Sequence, residues 1–535
     1  MNIPGNHRET AETRQRKAHL VGGGIAAMAA AAYLIRDGGL LGPNINIYEE
    51  GEVFGGCLDG ISMAEKGYVN RGERMFEPNY VCMFDLLSFI PSIDDPKKSI
   101  KQDILEYAEA FHWNNKARLV DSEGKITNFR ELGFNERDRL DMIALTSTPE
   151  SFYNDKRIND VFTGHFFETN FWYIWQSTFG FEPWHSAIEM RRYMLRFLHM
   201  FPSMPTQAGI FRTNYNQYDT IIRPLKNWLV SQGVQFVSRT RVVDIDLGIV
   251  PEVFTASRIM MIRDGQDVIV EVAPQDIVIA TIGSMVADSS LGSNTTAPQV
   301  KRTQSSGAFA LWETIAEGRE RLGRPSVFSG NIDHANWESF TVTTRDPHFF
   351  DRMEKFTGNL TGRNGMVTLK DSSWLITLSL YSQPHYIDQP DDVFVWWGYG
   401  LYTDKIGDYV KKPMYQCTGD EILEETIRQL KWDEDLDRIR NASRVIPCMM
   451  PHITSMFLAR KAGDRPHVVP EGSTNFGVIG QFVEVPDDVV FTVEYSVRTA
   501  QTAVFKLLGL EKKPNPFPRV SNDLKVVWNA FQAMH

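Results

Sequence analysis

The turn Gly22-Gly23-Gly24-Ile25-Ala26-Ala27 has GxGxxG spacing with alanine in the third position, a pattern whose chemistry is to hold phosphate. Gly22 makes the tight turn, Gly24 lets the backbone approach a pyrophosphate, and Ala27 is small enough for close helix packing. The first N–H groups of the helix that follows then face the anion, with the helix dipole behind them. Glu49, 27 residues after Gly22, closes the next strand, where a carboxylate accepts a ribose hydroxyl. A second chemically loaded stretch, VNRGERMFEPNYVC from Val69 to Cys82, sets two arginines and two glutamates around Met75 and Phe76. These residue types suit a catalytic loop or a charged surface turn, and nothing local separates the two.

The phosphate turn requires a strand, a helix and a second strand around it. His19 to Val21 reads as the first strand, an Ala-rich helix runs to about Arg36, and Ile45 to Tyr48 is the second strand. Asp276 to Met285 (DIVIATIGSM) reads as a buried strand capped by Gly283. FGVIGQFVEVPDDVVFTVEYSVRTAQTAVFKLLG reads as a strand, a loop carrying Gln481 and a long helix. The fold class expected is α/β, with a Rossmann-like domain discontinuous over 1–105, 211–294 and 441–512. Between its pieces, 106–210 and 295–440 are rich in Trp, Phe and Tyr and include the strand-like SSWLITLSLYS and DVFVWWGYGLY. They are expected to form an α+β second domain that closes over the first, with 513–535 a short apolar helical segment. GEVFGGCLDG, carrying Gly55 and Gly56, follows Glu49 so closely that the dinucleotide expected is FAD rather than NAD.

Composition limits the alternatives. A chain of 535 residues, 42% apolar and 12% aromatic, builds more than one core. With 56 basic against 67 acidic side chains, the net charge of −11 argues against nucleic acid as a partner. Cys57, Cys82, Cys417 and Cys448 form no CxxC pair and have no histidine at ligand spacing, so neither a disulfide framework nor a metal site is expected. The N-terminal MNIPGNHRETAETRQRKA lacks the apolar core of a signal peptide, and IAAMAAAAYLI falls short of the ~20 residues that span a bilayer. A cytoplasmic protein is the expectation.

Several long segments, in order, resemble one family, the oleate hydratases or myosin-cross-reactive antigens. They are HLVGGGIAAMAAAAYLIRDG, GGCLDG, RGERMFE, WHSAIEMRRYMLRF, TNYNQYDTIIRPL, QPDDVFVWWGYGLY, KKPMYQCTGDEIL and GDRPHVVPEGSTNFGVIGQFVEVPDDVVFTVEYSVRTAQ. The resemblance implies an amine-oxidase-type flavin domain, a substrate domain and a helical C-terminal region. It also implies addition of water to the cis double bond of an unsaturated fatty acid such as oleic acid, with FAD required but no net redox change.

Hydrating an isolated alkene needs a proton delivered to one carbon while water attacks the other. A neutral tyrosine, with a pKa of ~10, can donate without carrying charge into an apolar tunnel. By resemblance the acid is Tyr193, although its helical spacing alone suits a core aromatic. Gln217 matches a glutamine that lines the family's reaction site. The family's carboxylate-binding cluster falls on Ser379, Tyr381 and His385, whose spacing puts all three on one face of an extended segment. Tyr381 stands where the family has an amide, and a lone strand histidine such as His385 is more often a satisfied core or surface residue. In the RGERMFE loop, Arg71, Gly72 and Arg74 match family positions and are expected around the isoalloxazine. The family's water-activating glutamate is replaced by Met75, whose thioether cannot take a proton. Glu73, where the family has glycine, and Glu77, which the family shares, are the carboxylates that can substitute; the alternative is that backbone carbonyls hold the water and proton transfer to the alkene dominates. Glu73 can equally pair with Arg71 or Arg74.

Two rival readings remain: an FAD-dependent oxidoreductase of the amine-oxidase or desaturase type, and a non-catalytic fatty-acid or flavin-binding protein. Family members are commonly homodimers that reach the membrane surface through C-terminal basic helices. Here the short segment after Lys513 leaves monomer or homodimer, and peripheral membrane contact, open.

Overall fold

The computed structural model describes residues 15–58, 60–63, 67–248, 250, 253–303, 305–363 and 365–534. Most of the polar N-terminal stretch behind the expectation of no export therefore lies outside the described residues. The strand Ala18–Val21 pairs in parallel with Ile277–Thr281 on one side and Ile45–Tyr48 on the other. Phe476–Ile479 and Gln235–Val237 complete a five-stranded parallel sheet at its two edges. Strands covered on both faces need continuous apolar runs, and AHLV, IVIAT and FGVI supply them.

The helix Ile25–Arg36 follows the glycine turn. Alanine is the strongest helix former, and its small side chain lets Ile25 to Leu34 lie buried between the sheet and the helix Val493–Leu507. A three-stranded antiparallel sheet, Thr240–Asp246, Arg258–Arg263 and Gln266–Glu271, flanks this unit. All five strands of the parallel sheet lie at positions that the sequence reading gave to the nucleotide domain.

A seven-stranded sheet forms the second layer, in the order 290–291, 443–450, 337–344, 394–400, 377–380, 367–369 and 119–120. It is antiparallel except where Val367–Leu369 meets Leu119–Val120. Its third strand, Trp337–Thr344, is buried throughout, and rings such as Phe349 and Trp396, stacked at 4.4 Å, fill the space beside it. Two strands depart from the expected segments. Ser290–Leu291 and Ser443–Met450 belong to this sheet, not to the nucleotide unit. An apolar run such as SRVIPCMM suits either sheet, and its choice is made by its remote partner Trp337–Thr344.

The C-terminal helix Leu524–Ala533 packs on the turn Leu198–Ser203. Among the described residues no helix is long and apolar enough to cross a membrane.

Candidate active site

The glycine turn opens into a cleft of about 620 Å³. Gly22, Gly24, Glu49, Gly56, Arg71, Gly283 and Gln481 all line it, from five separate parts of the chain. Ala27, Gly55 and Arg74 do not. Ala27 packs inside its helix, and Gly55 acts through its backbone, its N–H donating to Gly23 O at 2.9 Å. A Cβ added to Gly56 would stand 3.1 Å from Gly24 Cα, so the two glycine loops touch backbone to backbone. The Glu49 carboxylate accepts from Gly23 N at 2.7 Å and Gly51 N at 2.8 Å, which fixes the turn; a carboxylate has further lone pairs for a hydroxyl.

Three features of the cleft suit a dinucleotide. Gly24, at the N-cap of Ile25–Arg36, has no side-chain cap, which leaves the first N–H groups to an anion. Glycine backbone forms the floor where a pyrophosphate lies closest. Among the described residues, the buried Thr281 Oγ1 at the cleft wall has no hydrogen-bond partner.

The charged loop is anchored at both ends, which removes the surface-turn reading. Tyr68 N and Asn70 N donate to Thr343 Oγ1 and Thr341 Oγ1 at 3.0 and 2.9 Å. Phe76 and Phe211 exchange backbone hydrogen bonds of 2.9 and 3.1 Å. At the far end the Glu494 carboxylate accepts from Cys82 N and Met83 N, at 3.0 and 2.7 Å, in the first turn of the helix Val81–Leu87. Glu73, Arg74, Met75, Phe76 and Glu77 thereby line a second, smaller cavity of about 90 Å³.

Tyr193 faces that cavity from the helix Ala187–Arg196. The amphipathic pattern hides an unusual arrangement, because the charged face is buried as well. Glu189 pairs with Arg460 and Arg465 at 2.7 and 3.1 Å, Arg192 with Glu150 and Glu484 at 2.7 Å each, and Arg196 with Glu77 at 2.9 Å. Those pairs clamp one side of the helix while Phe179, Phe181, Phe197 and Phe457 surround Tyr193 at ring distances of 5.0–5.7 Å. The phenol donates to Val490 O at 2.5 Å. Burial pushes its pKa well above the ordinary value, Tyr80, Glu189 and Asp488 push the same way, and Arg74 opposes them.

The remaining residues fall differently from expectation. Gln217 does not line the cavity; its Nε2 donates to Arg74 O at 3.2 Å and so holds the loop from behind. Met75 Sδ receives Gln207 Nε2 at 3.9 Å. Glu77 is a carboxylate: burial raises its pKa, but the His199 hydrogen bond and the Arg196 charge outweigh burial and leave it below the ordinary range. Glu73 pairs with neither Arg71 nor Arg74 through its carboxylate. It is held by the Arg212 guanidinium, one contact being 2.9 Å from Nη2, and by Ser379 Oγ at 2.7 Å.

The single extended face expected for Ser379, Tyr381 and His385 does not form. The strand stops at Leu380, Pro384 interrupts the segment, and Tyr381 turns to stack on His385 at 3.8 Å. Tyr381 Oη accepts from Asn70 Nδ2 at 2.7 Å, and neither ring lines the cavity. Arg212, the Val490 carbonyl, and the wall of Trp337, Trp397 and Phe491 were not foreseen. Only the aromatic richness of the second domain hinted at that wall.

The class defined by this fold is Rossmann-like, with a glycine-floored cleft that adjoins an aromatic cavity with a buried phenol. Putrescine oxidase matches it with a TM-score of 0.51 at 12% identity, over 92% of this chain and 99% of that one. Cyclohexylamine oxidase from Brevibacterium oxydans matches with a TM-score of 0.50 at 12% identity, over 93% of this chain and 100% of that one. The chain belongs to the MCRA family, whose model matches residues 15–505. It is 35% identical to an oleate hydratase of Streptococcus pyogenes over 524 residues, 93% of this chain and 86% of that protein. It is 31% identical to a linoleate hydratase of Lactiplantibacillus plantarum over 567 residues, 97% of this chain and 98% of that protein.

Proposed function

We propose that this chain is a fatty-acid hydratase that adds water to the cis double bond of an unsaturated fatty acid, converting oleic acid to 10-hydroxystearic acid. The observation that carries the reading is Tyr193, a neutral phenol at the wall of an aromatic cavity that adjoins a dinucleotide cleft. The acyl chain lies along the aromatic wall, where each buried CH₂ contributes about 0.8 kcal/mol. Tyr193 turns its O–H from the Val490 carbonyl to one alkene carbon, and water attacks the other. Arg74 offsets part of the cost of the phenolate left behind. Met75 cannot take the proton of the attacking water, so Glu77 is the cavity carboxylate assigned to orient that water, accept its proton and return it to the Tyr193 phenolate.

FAD is the cofactor assigned, held by Gly22, Gly24, Glu49, Gly56, Arg71, Gly283 and Gln481. When bound it supplies a polar wall and electrostatic tuning, without net redox change. The exposed stripe Leu524, Val527, Trp528 and Phe531 supports peripheral contact with a membrane surface. Reduced binding of Trp528→Ser to lipid vesicles is the expected result.

The FAD-loaded, reduced protein incubated with oleic acid is expected to yield a product heavier by one water, with no electron acceptor consumed. Hydrogen peroxide or a new double bond would move the chain to the oxidoreductases, and bound fatty acid with no product would make it a binding protein. Glu77→Gln is expected to slow turnover; an unaffected rate would remove Glu77 from the reaction.

A further inference from the structure

Arg212 stands at the centre of a complete carboxylate-binding site. Its guanidinium grips both oxygens of Glu73, touches Ser379 Oγ and donates to Leu380 O at 3.2 Å. Trp113 and Tyr381 cover it at 4.8 and 5.6 Å. Fork-like arginine contacts with a hydroxyl beside them are the chemistry that recognises a carboxylate head group. The carboxylate found there belongs to the chain itself, and the Glu73 side chain is only 3% exposed. Glu73 lines the cavity, whereas Arg212 and Ser379 do not, so its side chain stands between the cavity and the guanidinium.

We propose that Glu73 is a built-in competitor for the substrate's carboxylate: a fatty acid reaches the Arg212–Ser379 site only by displacing it. This rests on the acyl-carboxylate reading above. The reason is charge balance, because one buried guanidinium can neutralise one carboxylate and a second would lie unpaired at high cost. A displaced Glu73 has a cation at hand in Arg74, which faces the cavity and makes no ion pair among the described residues. Competition of this kind weakens the hold on free acids and leaves esters of the same chain untouched, so residue 73 sets head-group preference.

Binding of stearic acid, which has no double bond to hydrate, and of its methyl ester is measured by calorimetry on the FAD-loaded wild type and on Glu73→Gln. Stearic acid is expected to bind the variant about tenfold or more tightly, the scale of one charge-assisted contact, with ester affinity unchanged. Equal stearic acid affinity in the two proteins overturns the proposal. Glu73→Ala gives a second readout that needs no fatty acid: acetate raises the Tm of this variant and not of the wild type, whereas an acetate-insensitive variant counts against the site. Neither measurement depends on turnover. A protein that shows the binding shift without hydration refutes the hydratase reading alone, and one that hydrates without the shift refutes this proposal alone.

Discussion

Arg74 Nη2 lies 3.5 Å from Met285 Sδ, and through that contact the two cavities meet. Met285 lines the glycine-floored cleft and Arg74 lines the aromatic cavity. The loop is held in place from the opposite side by Gln217 on the Arg74 carbonyl, and Gln481 ties cleft to cavity by gripping Phe491 N and Thr492 O at 2.5 and 2.9 Å. A cation is thus fixed beside the phenol at the boundary between the two sites.

Arg74→Gln is expected to lower kcat about tenfold or more, since losing roughly 1.4 kcal/mol of charge stabilisation at the phenolate costs that factor. KM should change little, because the guanidinium acts on charge that develops during the reaction. Steady-state kinetics on oleic acid decide it, and a change confined to KM would make Arg74 a binding residue instead.

Tyr193→Phe is expected to abolish hydration while the protein stays folded. The variant strands the buried Val490 carbonyl, at a cost of about 1–3 kcal/mol. Turnover, together with the melting temperature, separates a lost proton donor from a lost fold. Unchanged turnover would remove Tyr193 from the mechanism.

The nucleotide half of the molecule was legible because its signals are local. Gly22, Gly24 and Glu49 lie within one strand–turn–helix–strand unit, and the strands at 277–281 and 476–479 read as apolar runs. The other half depends on partners far apart in sequence. Glu73 meets Arg212 139 residues away and Ser379 306 residues away, so spacing within RGERMFE pointed to the neighbouring arginines instead. Ser379, Tyr381 and His385 share a two-residue periodicity that the chain abandons after Leu380. The helix of Tyr193 was read correctly as a helix, but its buried charges are satisfied by Arg460, Arg465 and Glu484, which no local pattern reveals.

Met75→Glu is expected to retain or raise hydration. Its side chain would lie where Met75 Sδ meets Gln207 Nε2, a donor able to receive a carboxylate, and it would place a proton acceptor on the cavity wall. A rate assay on oleic acid tests this. A large loss of rate would mean that the site needs an apolar side chain at residue 75.

Glu484→Gln should change stability in a pH-dependent way. Burial raises the Glu484 pKa, but Arg192, Arg460 and Arg465 outweigh it and bring the carboxyl down to about 2. In the unfolded chain the group returns to the ordinary carboxylate value of about 4.3. A depressed folded pKa gives stability that is fully present above the unfolded value and is lost as pH falls through the folded one. Glu484→Gln should therefore be less stable than wild type at neutral pH by roughly 3 kcal/mol. The gap should narrow between about pH 4.3 and pH 2, where the wild-type carboxylate takes up its proton. Denaturant unfolding of both proteins at pH 7 and pH 3 tests this, and a gap independent of pH would mean that Glu484 contributes by packing rather than by charge. Since Arg192 joins Glu484 to the helix that carries Tyr193, the same variant should also slow turnover at pH 7 through a displaced phenol.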